Sequence, residues 1–345
     1  MNLHLGLSRR AVLALLGGGA ALSAGASRAL AQGAAQGKRP PFRIYMALFR
    51  GFEDAAQGFQ DYLAERGVPV TYIVRNADQN VARIPEMVAE IKAMKPDLVL
   101  SWGTGMTLGL VGPYDAPDPK KYVTETPVVF MIVSQPVGAK IVPDLLKPGR
   151  NVTGANYLIP EETQLNFARR YIPFKKVAVV YNPAEQNAAL TVTELWRLSG
   201  TMGFELVDAP LPLDPTGRPI VAEIGDVLDN VAAHKPDMVY LGPDSFLNDL
   251  RKEFTEAAVA RRLPVFAAGE GPVRTGSALM GVVNRYHTVG QLAALKAEQV
   301  LMGRPASDIP IEMPERFSVI VNIRVAKALK LYPPMTLLKF AEIAS

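Results

Sequence analysis

The 345-residue sequence contains no cysteine and only three histidines and two tryptophans. The absence of cysteine excludes disulfides, thiol catalysis, cysteine-ligated zinc and membrane attachment through a lipidated N-terminal cysteine. The sequence also lacks the G-x-S-x-G, H-E-x-x-H and P-loop lysine motifs of common hydrolases, zinc peptidases and nucleotide-binding proteins. We therefore expect a non-enzymatic protein with no catalytic residue, no metal site and no cofactor.

No apolar run is long enough to cross a bilayer, which takes about 20 residues. The longest candidate, Ala11–Ala26, follows Ser8-Arg9-Arg10 and contains three consecutive glycines. The small-x-small pattern Ala29-Leu30-Ala31 comes next, so residues 1–31 are predicted to be a secretory signal cleaved near Ala31-Gln32, with a membrane anchor as the alternative. The Ser-Arg-Arg sequence resembles a twin-arginine signal, and residues 32–41 are predicted to form a disordered leader.

Little net positive charge remains once this signal is removed. The formal net charge is +4 for the whole chain. The signal holds Arg9, Arg10 and Arg28 and no acidic residue, so the mature chain carries only +1. A nucleic-acid partner is therefore not expected.

From Phe42 onward, short apolar segments alternate with amphipathic helical segments. Uninterrupted apolar strands separated by such helices indicate parallel sheets covered on both faces. The predicted strands fall into two successive groups, 43–48, 70–74, 97–102 and 126–133, then 176–181, 205–209, 237–241 and 264–268.

An internal repeat relates the two groups. Ala93–Trp102 (AMKPDLVLSW) matches Ala233–Gly242 (AHKPDMVYLG), and Thr126–Phe130 resembles Leu263–Ala267. A helix–Lys-Pro-Asp–strand connection is common by itself, but two matches in the same order favour duplicated topology. The predicted fold is α/β, with two similar doubly wound parallel-sheet lobes joined by a hinge and a ligand in the cleft between them.

Candidate ligand contacts lie where the predicted strands end. The hydroxyl of Thr104, beside the amides of a helix start, suits a carboxylate. Asp244, its repeat partner, suits an ammonium or hydroxyl group, although Asp-Ser before a helix is also an ordinary N-cap. The aromatic candidates either stack on a ligand or pack within a lobe. The full set is Phe49, Trp102, Gly103, Thr104, Gly105, Ser134, Gln135, Asn156, Tyr157, Asp244, Ser245 and Glu270.

Four segments carry a resemblance to a known family, namely Pro127–Ala155, Val177–Ala184, Leu263–Val283 and Ile309–Tyr332. The chain resembles the solute-binding proteins of bacterial ABC transporters with the type I periplasmic fold, in the branch of putative tryptophan or aromatic amino-acid binders. The resemblance covers about residues 42–345. It implies a monomeric periplasmic receptor that captures a small organic solute by hinge closure and delivers it to an ABC permease in the inner membrane.

The resemblance also implies lobe boundaries and contacts. Lobe 1 would comprise residues 42–154 and 284–306, and lobe 2 residues 155–283 and 307–345. Thr104 with its neighbours and Ser134 would contact the solute from lobe 1, and Asp244 and Glu270 from lobe 2. The family commonly has Asp where this chain has Gln135, so the identity of the solute is not transferred.

Two other function classes stay open at this point. A sensor that presents its ligand to a membrane kinase or chemoreceptor would use the same cleft. An exported enzyme is the third possibility, for which the sequence offers no catalytic constellation.

Overall fold

The computed structural model describes residues 40–344. The predicted signal, and the predicted leader apart from its last two residues, lie outside the described residues. Within residues 40–344, no helix has both the length and the apolar character needed to cross a membrane.

The first sheet has five parallel strands in the order β2-β1-β3-β4-β5. The central strands β3 and β4 are buried along their whole length, as expected for a parallel sheet with helices on both faces. The elements of this part of the chain are β1 (Phe42–Leu48), α1 (Asp54–Glu65), β2 (Val70–Asn76), α2 (Ile84–Met94), β3 (Leu98–Trp102), α3 (Thr104–Val111), β4 (Val128–Val133) and β5 (Val152–Asn156).

The second sheet has seven strands in the order β7-β6-β8-β9-β10-β11-β12, parallel except for the pairing of β10 with β11. Its strands are β6 (Lys176–Tyr181), β7 (Glu205–Pro210), β8 (Met238–Leu241), β9 (Val265–Ala267), β10 (Met280–Val283), β11 (Ser318–Asn322) and β12 (Glu342–Ala344). The helices of this half are α4 (Glu161–Tyr171), α5 (Gln186–Met202), α6 (Ile224–Ala233), α7 (Ser245–Asp249), α8 (Arg251–Ala260), α9 (Glu270–Arg274), α10 (Tyr286–Leu301), α11 (Ile323–Leu329) and α12 (Met335–Leu338).

The first five strands of the two sheets follow the same spatial order, second-first-third-fourth-fifth. This confirms the predicted fold of two similar doubly wound lobes. The repeated Lys-Pro-Asp segment has the same structural role in both. Asp97 accepts a hydrogen bond from the backbone N–H of Arg43 at 2.7 Å, and Asp237 accepts one from Lys176 at 2.8 Å. Each aspartate thereby joins the start of the third strand of its lobe to the start of the first strand.

One predicted helix is wrong in its continuity. The apolar spacing over 247–261 predicts a single helix, but the structure has two helices in this region, α7 and α8. Leu250, with φ −88° and ψ 21°, lies outside the helical region between them.

Helix α10 belongs to the second half of the sequence but packs against α1 of the first lobe. Two glycines permit this close approach. A Cβ on Gly58 would lie 2.1 Å from the carbonyl oxygen of His287, and a Cβ on Gly290 would lie 1.9 Å from that of Ala55. Any larger side chain at either position would force the two helices apart.

The chain crosses between the lobes three times, at about residues 157–160, 284–285 and 313–317. The first two crossings are joined because the side-chain amide of Asn284 donates to the carbonyl oxygen of Tyr157 at 2.9 Å. The third is held by Lys296, whose ammonium group donates to Glu312 at 2.6 Å.

The lobe boundaries named above remain predictions, and two features bear on where they would be drawn. Strand β5 continues to Asn156, two residues past the predicted boundary at 154. Residues 307–312 lie along β5, with Glu312 paired to Ala155, although they were predicted to belong to lobe 2. Backbone pairing at the sheet edge therefore keeps both segments with the first sheet.

Candidate functional site

A cavity of about 180 Å³ lies between the lobes, at the carboxyl ends of their strands. Residues from both sheets line it, so it is closed only while the lobes are together. Of the twelve predicted contact residues, nine line this cavity: Phe49, Trp102, Gly103, Thr104, Gly105, Ser134, Tyr157, Asp244 and Ser245. Contact of these residues with a ligand stays a prediction.

The N-terminus of α3 forms one wall of the cavity. Gly103, at φ +85°, occupies a backbone region that favours glycine and turns the chain from β3 into the helix. The turn is braced by Thr107, whose hydroxyl donates to the carbonyl oxygen of Gly103 at 2.8 Å. The amides of Thr104, Gly105 and Met106 have no intrahelical acceptor, because they belong to the first turn. This wall therefore offers hydrogen-bond donors and the positive end of a helix dipole.

A β-bulge in β4 shapes the same wall. The register between β4 and β5 shifts between Phe130 and Val133, and Ile132 has φ +57°, an outlier for a β-branched residue. Ile132 and Ser134 both line the cavity. The Ser134 hydroxyl is buried and has no hydrogen-bond partner within the described part of the chain. A buried hydroxyl in this position is available to a ligand.

The opposite wall, on the second lobe, is built around Asp244. One carboxylate oxygen accepts the N–H of Leu247 at 2.8 Å, and the other accepts that of Asn182 at 2.6 Å. Asp244 is therefore the N-cap of α7 and also ties the ends of β6 and β8 together. The ordinary N-cap interpretation accounts for one of its oxygens, and the hydrogen bond from Asn182 accounts for the other.

Glu185 supplies a second carboxylate on this wall, and it was not among the predicted contacts. Its oxygens accept the N–H groups of Ser245, at 2.9 and 3.1 Å, and of Phe246, at 3.1 Å. It follows β6 by four residues, in a loop with no recognisable motif, so only the strand-end rule pointed to this region. The amides at the start of α7 are thus already occupied by protein carboxylates, unlike those of α3.

The two carboxylates give the second wall a negative character. Among residues 40–344, neither Asp244 nor Glu185 forms an ion pair with a lysine, arginine or histidine. Burial, together with the neighbouring charge of Glu185, raises the pKa of Asp244 to about 7. A cation placed here would therefore relieve an unfavourable interaction.

Aromatic side chains line the space between the two walls. Tyr157 and Tyr286 pack edge to face, with ring centroids 5.7 Å apart. The guanidinium group of Arg50 lies over the ring of Trp102, 4.6 Å from its centroid. The indole nitrogen of Trp102 is buried and unpartnered among the described residues. Arg50 lies at the predicted end of the first strand but is not among the twelve predicted contacts, and neither is Tyr286.

Three predicted contacts lie elsewhere. Gln135 turns away and donates to Glu161 of the second lobe at 3.0 Å. The side chain of Asn156 accepts the N–H of Leu158 at 3.2 Å, at the first crossing. Glu270 accepts the N–H of Tyr286 at 2.7 Å, so it caps the start of α10 and lines a second cavity instead. All three therefore act near the hinge or between the lobes.

Residues 40–344 contain no group of three or more His, Asp or Glu side chains arranged to hold an ion.

Comparisons with known proteins agree with this architecture. A family model described as "ABC transporter substrate binding protein" matches residues 50–344, which confirms the resemblance inferred from sequence segments. A tyrosine-binding protein of Clostridioides difficile (strain R20291) is 24% identical over 283 residues, 80% of this chain and 76% of the relative.

Two solved structures share the type I periplasmic fold with this chain. The ABC domain from Streptococcus pneumoniae in complex with L-Trp has a TM-score of 0.77 and 22% identity, covering 88% of this chain and 100% of the other. A conserved domain protein from Vibrio cholerae has a TM-score of 0.77 and 23% identity, covering 88% of this chain and 99% of the other.

Proposed function

The chain belongs to the family of ABC transporter substrate-binding proteins, and we propose that it captures an aromatic α-amino acid outside the cytoplasm. One observation carries the proposal: the cavity sets the open amides of α3 against two carboxylates that have no cationic partner in the described residues. A zwitterion presents the complementary charges to both walls at once.

The α-carboxylate is assigned to the first lobe. The N–H groups of Thr104, Gly105 and Met106 and the hydroxyl of Ser134 all donate to an anion there. The α-ammonium is assigned to the second lobe, between Glu185 and Asp244. Because each end of the ligand binds a different lobe, binding favours closure of the cleft.

The side chain is assigned to the aromatic part of the cavity, beside Trp102, Tyr157 and Tyr286. These rings offer a flat apolar surface with few polar atoms, which suits an aromatic ring. The tyrosine-binding relative and the tryptophan-bound structure support this class of ligand.

Transport is the proposed purpose of capture. The mature chain would act as a monomer in the periplasm and deliver its ligand to an ABC permease in the inner membrane, without catalysing a reaction. The family description supports this role, and the alternative of a sensor for a membrane kinase or chemoreceptor is not favoured.

Isothermal titration of the purified chain without residues 1–31 against the common amino acids tests the proposal. We expect one or more aromatic amino acids to bind. At a ligand concentration a hundredfold above the dissociation constant, the free energy of unfolding should rise by about 2.7 kcal/mol. Tyramine, which lacks the carboxylate, and 3-(4-hydroxyphenyl)propionate, which lacks the amine, should each bind at least about tenfold more weakly than tyrosine.

The Glu185→Gln variant provides the matched control. It retains an oxygen for the α7 amides but loses the charge, so it should weaken tyrosine and tyramine and leave the amine-free acid unchanged. Failure of every amino acid to bind, or equal binding of tyrosine and the amine-free acid, would contradict the proposal.

A further inference from the structure

A second cavity of about 230 Å³ adjoins the first and differs from it in chemistry. Its lining is dominated by charged side chains: Glu53, Asp54, Arg251, Glu270 and Arg274. Three residues line both cavities, namely Arg50, Asn248 and Tyr286. These three side chains, which we call the partition, therefore form the wall between an aromatic cavity and a charged one.

Arg50 is the centre of the partition, and it is held rigidly. Its side chain is only 3% exposed. Nε donates to Glu53 at 2.9 Å, and the guanidinium plane lies over Trp102. A guanidinium fixed on one edge by a carboxylate and on one face by an indole has little freedom to move aside.

Asn248 closes the partition from the second lobe. Its side-chain amide is oriented with the oxygen towards Arg50, since the opposite orientation would set an NH₂ group against a donor. The oxygen then accepts from both terminal nitrogens of Arg50, at 2.7 and 2.9 Å. The partition is thus completed only when the lobes are together, because Arg50 and Asn248 come from different lobes.

Tyr286 forms the third side, at the start of α10. Its backbone N–H is held by Glu270, and its ring packs against Tyr157. Burial raises the pKa of Tyr286 to about 12, and the charge of Arg50 beside it acts in the opposite direction. The hydroxyl is therefore a neutral donor at physiological pH, next to a permanent cation.

We propose that the partition sets the maximum length of ligand side chain that the closed protein accepts. The inference rests on the proposed function: with the carboxylate and ammonium groups at the two walls, the side chain points along the aromatic lining and ends at Arg50 and Asn248. Removing either the guanidinium group of Arg50 or the side-chain amide of Asn248 joins the two cavities and admits a longer ligand side chain.

A series of amino acids with increasing length at the para position tests this proposal: phenylalanine, tyrosine, O-methyl-tyrosine and O-benzyl-tyrosine. In the unmodified chain, we expect affinity to fall by at least about tenfold between tyrosine and O-benzyl-tyrosine. In Asn248→Ala, this difference should shrink by about tenfold or more, because the second cavity becomes accessible.

Arg50→Met combined with Glu53→Gln should have the same effect. The double change avoids leaving the carboxylate of Glu53 buried without its cation, which would destabilise the fold. One oxygen of Glu53 is already buried with no hydrogen-bond partner among the described residues.

Gln79→Ala is the matched control. Gln79 donates to Asp249, the neighbour of Asn248, in another contact between the lobes, but it lines neither cavity. It should alter the affinity of all four ligands by the same factor.

The results separate two failures. If the unmodified chain binds neither tryptophan nor any member of the series, the proposed function is wrong; if it binds tryptophan alone, only the partition proposal is overturned. If it binds phenylalanine or tyrosine, and Asn248→Ala keeps the original length limit or behaves as Gln79→Ala does, the partition proposal alone is overturned.

Discussion

The two lobes share a scaffold but present opposite chemistry at equivalent points. In each lobe the third strand leads into a short helix that faces the cleft, and an offset of 140 residues relates Thr104 to Asp244. In the first lobe, the amides of the helix start face the cavity. In the second, Asp244 and Glu185 occupy those amides and face the cavity with their charge. The two lobes thus have matching scaffolds, and a few side chains make one wall a hydrogen-bond donor and the other an acceptor.

Removal of the N-cap of α7 in the second lobe should destabilise the protein more than any other change considered below. Asp244→Ala leaves the buried N–H groups of Asn182 and Leu247 without acceptors, so the unliganded protein should lose about 2 kcal/mol of unfolding free energy. The two unpaired N–H groups alone would cost more than this, but the substitution also removes the repulsion between Asp244 and Glu185, which offsets part of that cost. Urea denaturation followed by far-UV circular dichroism measures the change.

Thr104→Ala is the equivalent change in the first lobe. Thr104 lines the cavity but caps nothing, so its loss should cost less than about 1 kcal/mol in the unliganded protein. Ligand binding should weaken because the hydroxyl predicted to contact the carboxylate is removed, although the backbone N–H remains. Equal destabilisation by the two variants would mean that the lobes do not differ in the way described.

The fold was predictable because its signals are local and repeated. Lys-Pro-Asp lies between a helix and a strand in both lobes. Its aspartate accepts a backbone N–H from the start of the neighbouring strand in each case. The carboxyl-end rule then located Thr104, Ser134 and Asp244 at the cavity, because it depends on topology alone.

The rest of the site depends on contacts between residues that are far apart in the sequence, and no sequence motif marks these contacts. Glu185 acts on amides 60 residues away, and Glu270 caps a helix that starts 16 residues later. Gln135 was predicted as a contact because it follows Ser134 at the end of β4. After the bulge in β4 the chain turns, and the Gln135 side chain donates to Glu161 instead. Such side-chain directions follow from tertiary packing and not from strand order.

Titration with pH should affect the second lobe alone, through Asp244. The pKa of Asp244 is raised to about 7, so the folded protein holds this proton more tightly than the unfolded chain. The resulting stability is fully present below about pH 4 and is lost as the pH rises through 7. A bound ammonium favours the ionised carboxylate, so amino-acid affinity should rise between pH 6 and 8, by at most about tenfold per pH unit.

Calorimetry in two buffers of different ionisation enthalpy measures the proton released on binding. In Glu185→Gln, the rise in affinity should occur at lower pH, because the charge that helps to raise the pKa of Asp244 is gone. A rise in affinity whose pH midpoint is the same in this variant would show that another group is responsible.

The smallest expected effect tests the part of the comparison in which the lobes are alike. Lys95 and Lys235 stand at equivalent helix ends with φ of 47° and 52°, a left-handed conformation that favours glycine. Both side chains are exposed. Lys95→Gly and Lys235→Gly should therefore each stabilise the protein by about 0.5–1 kcal/mol, measured by urea denaturation, and leave ligand affinity unchanged. Similar gains in stability from both substitutions would show that the two lobe scaffolds are equivalent in energy as well as in shape. The difference between the lobes would then lie in the cavity walls. A gain from one and a loss from the other would instead place part of the asymmetry in the scaffold.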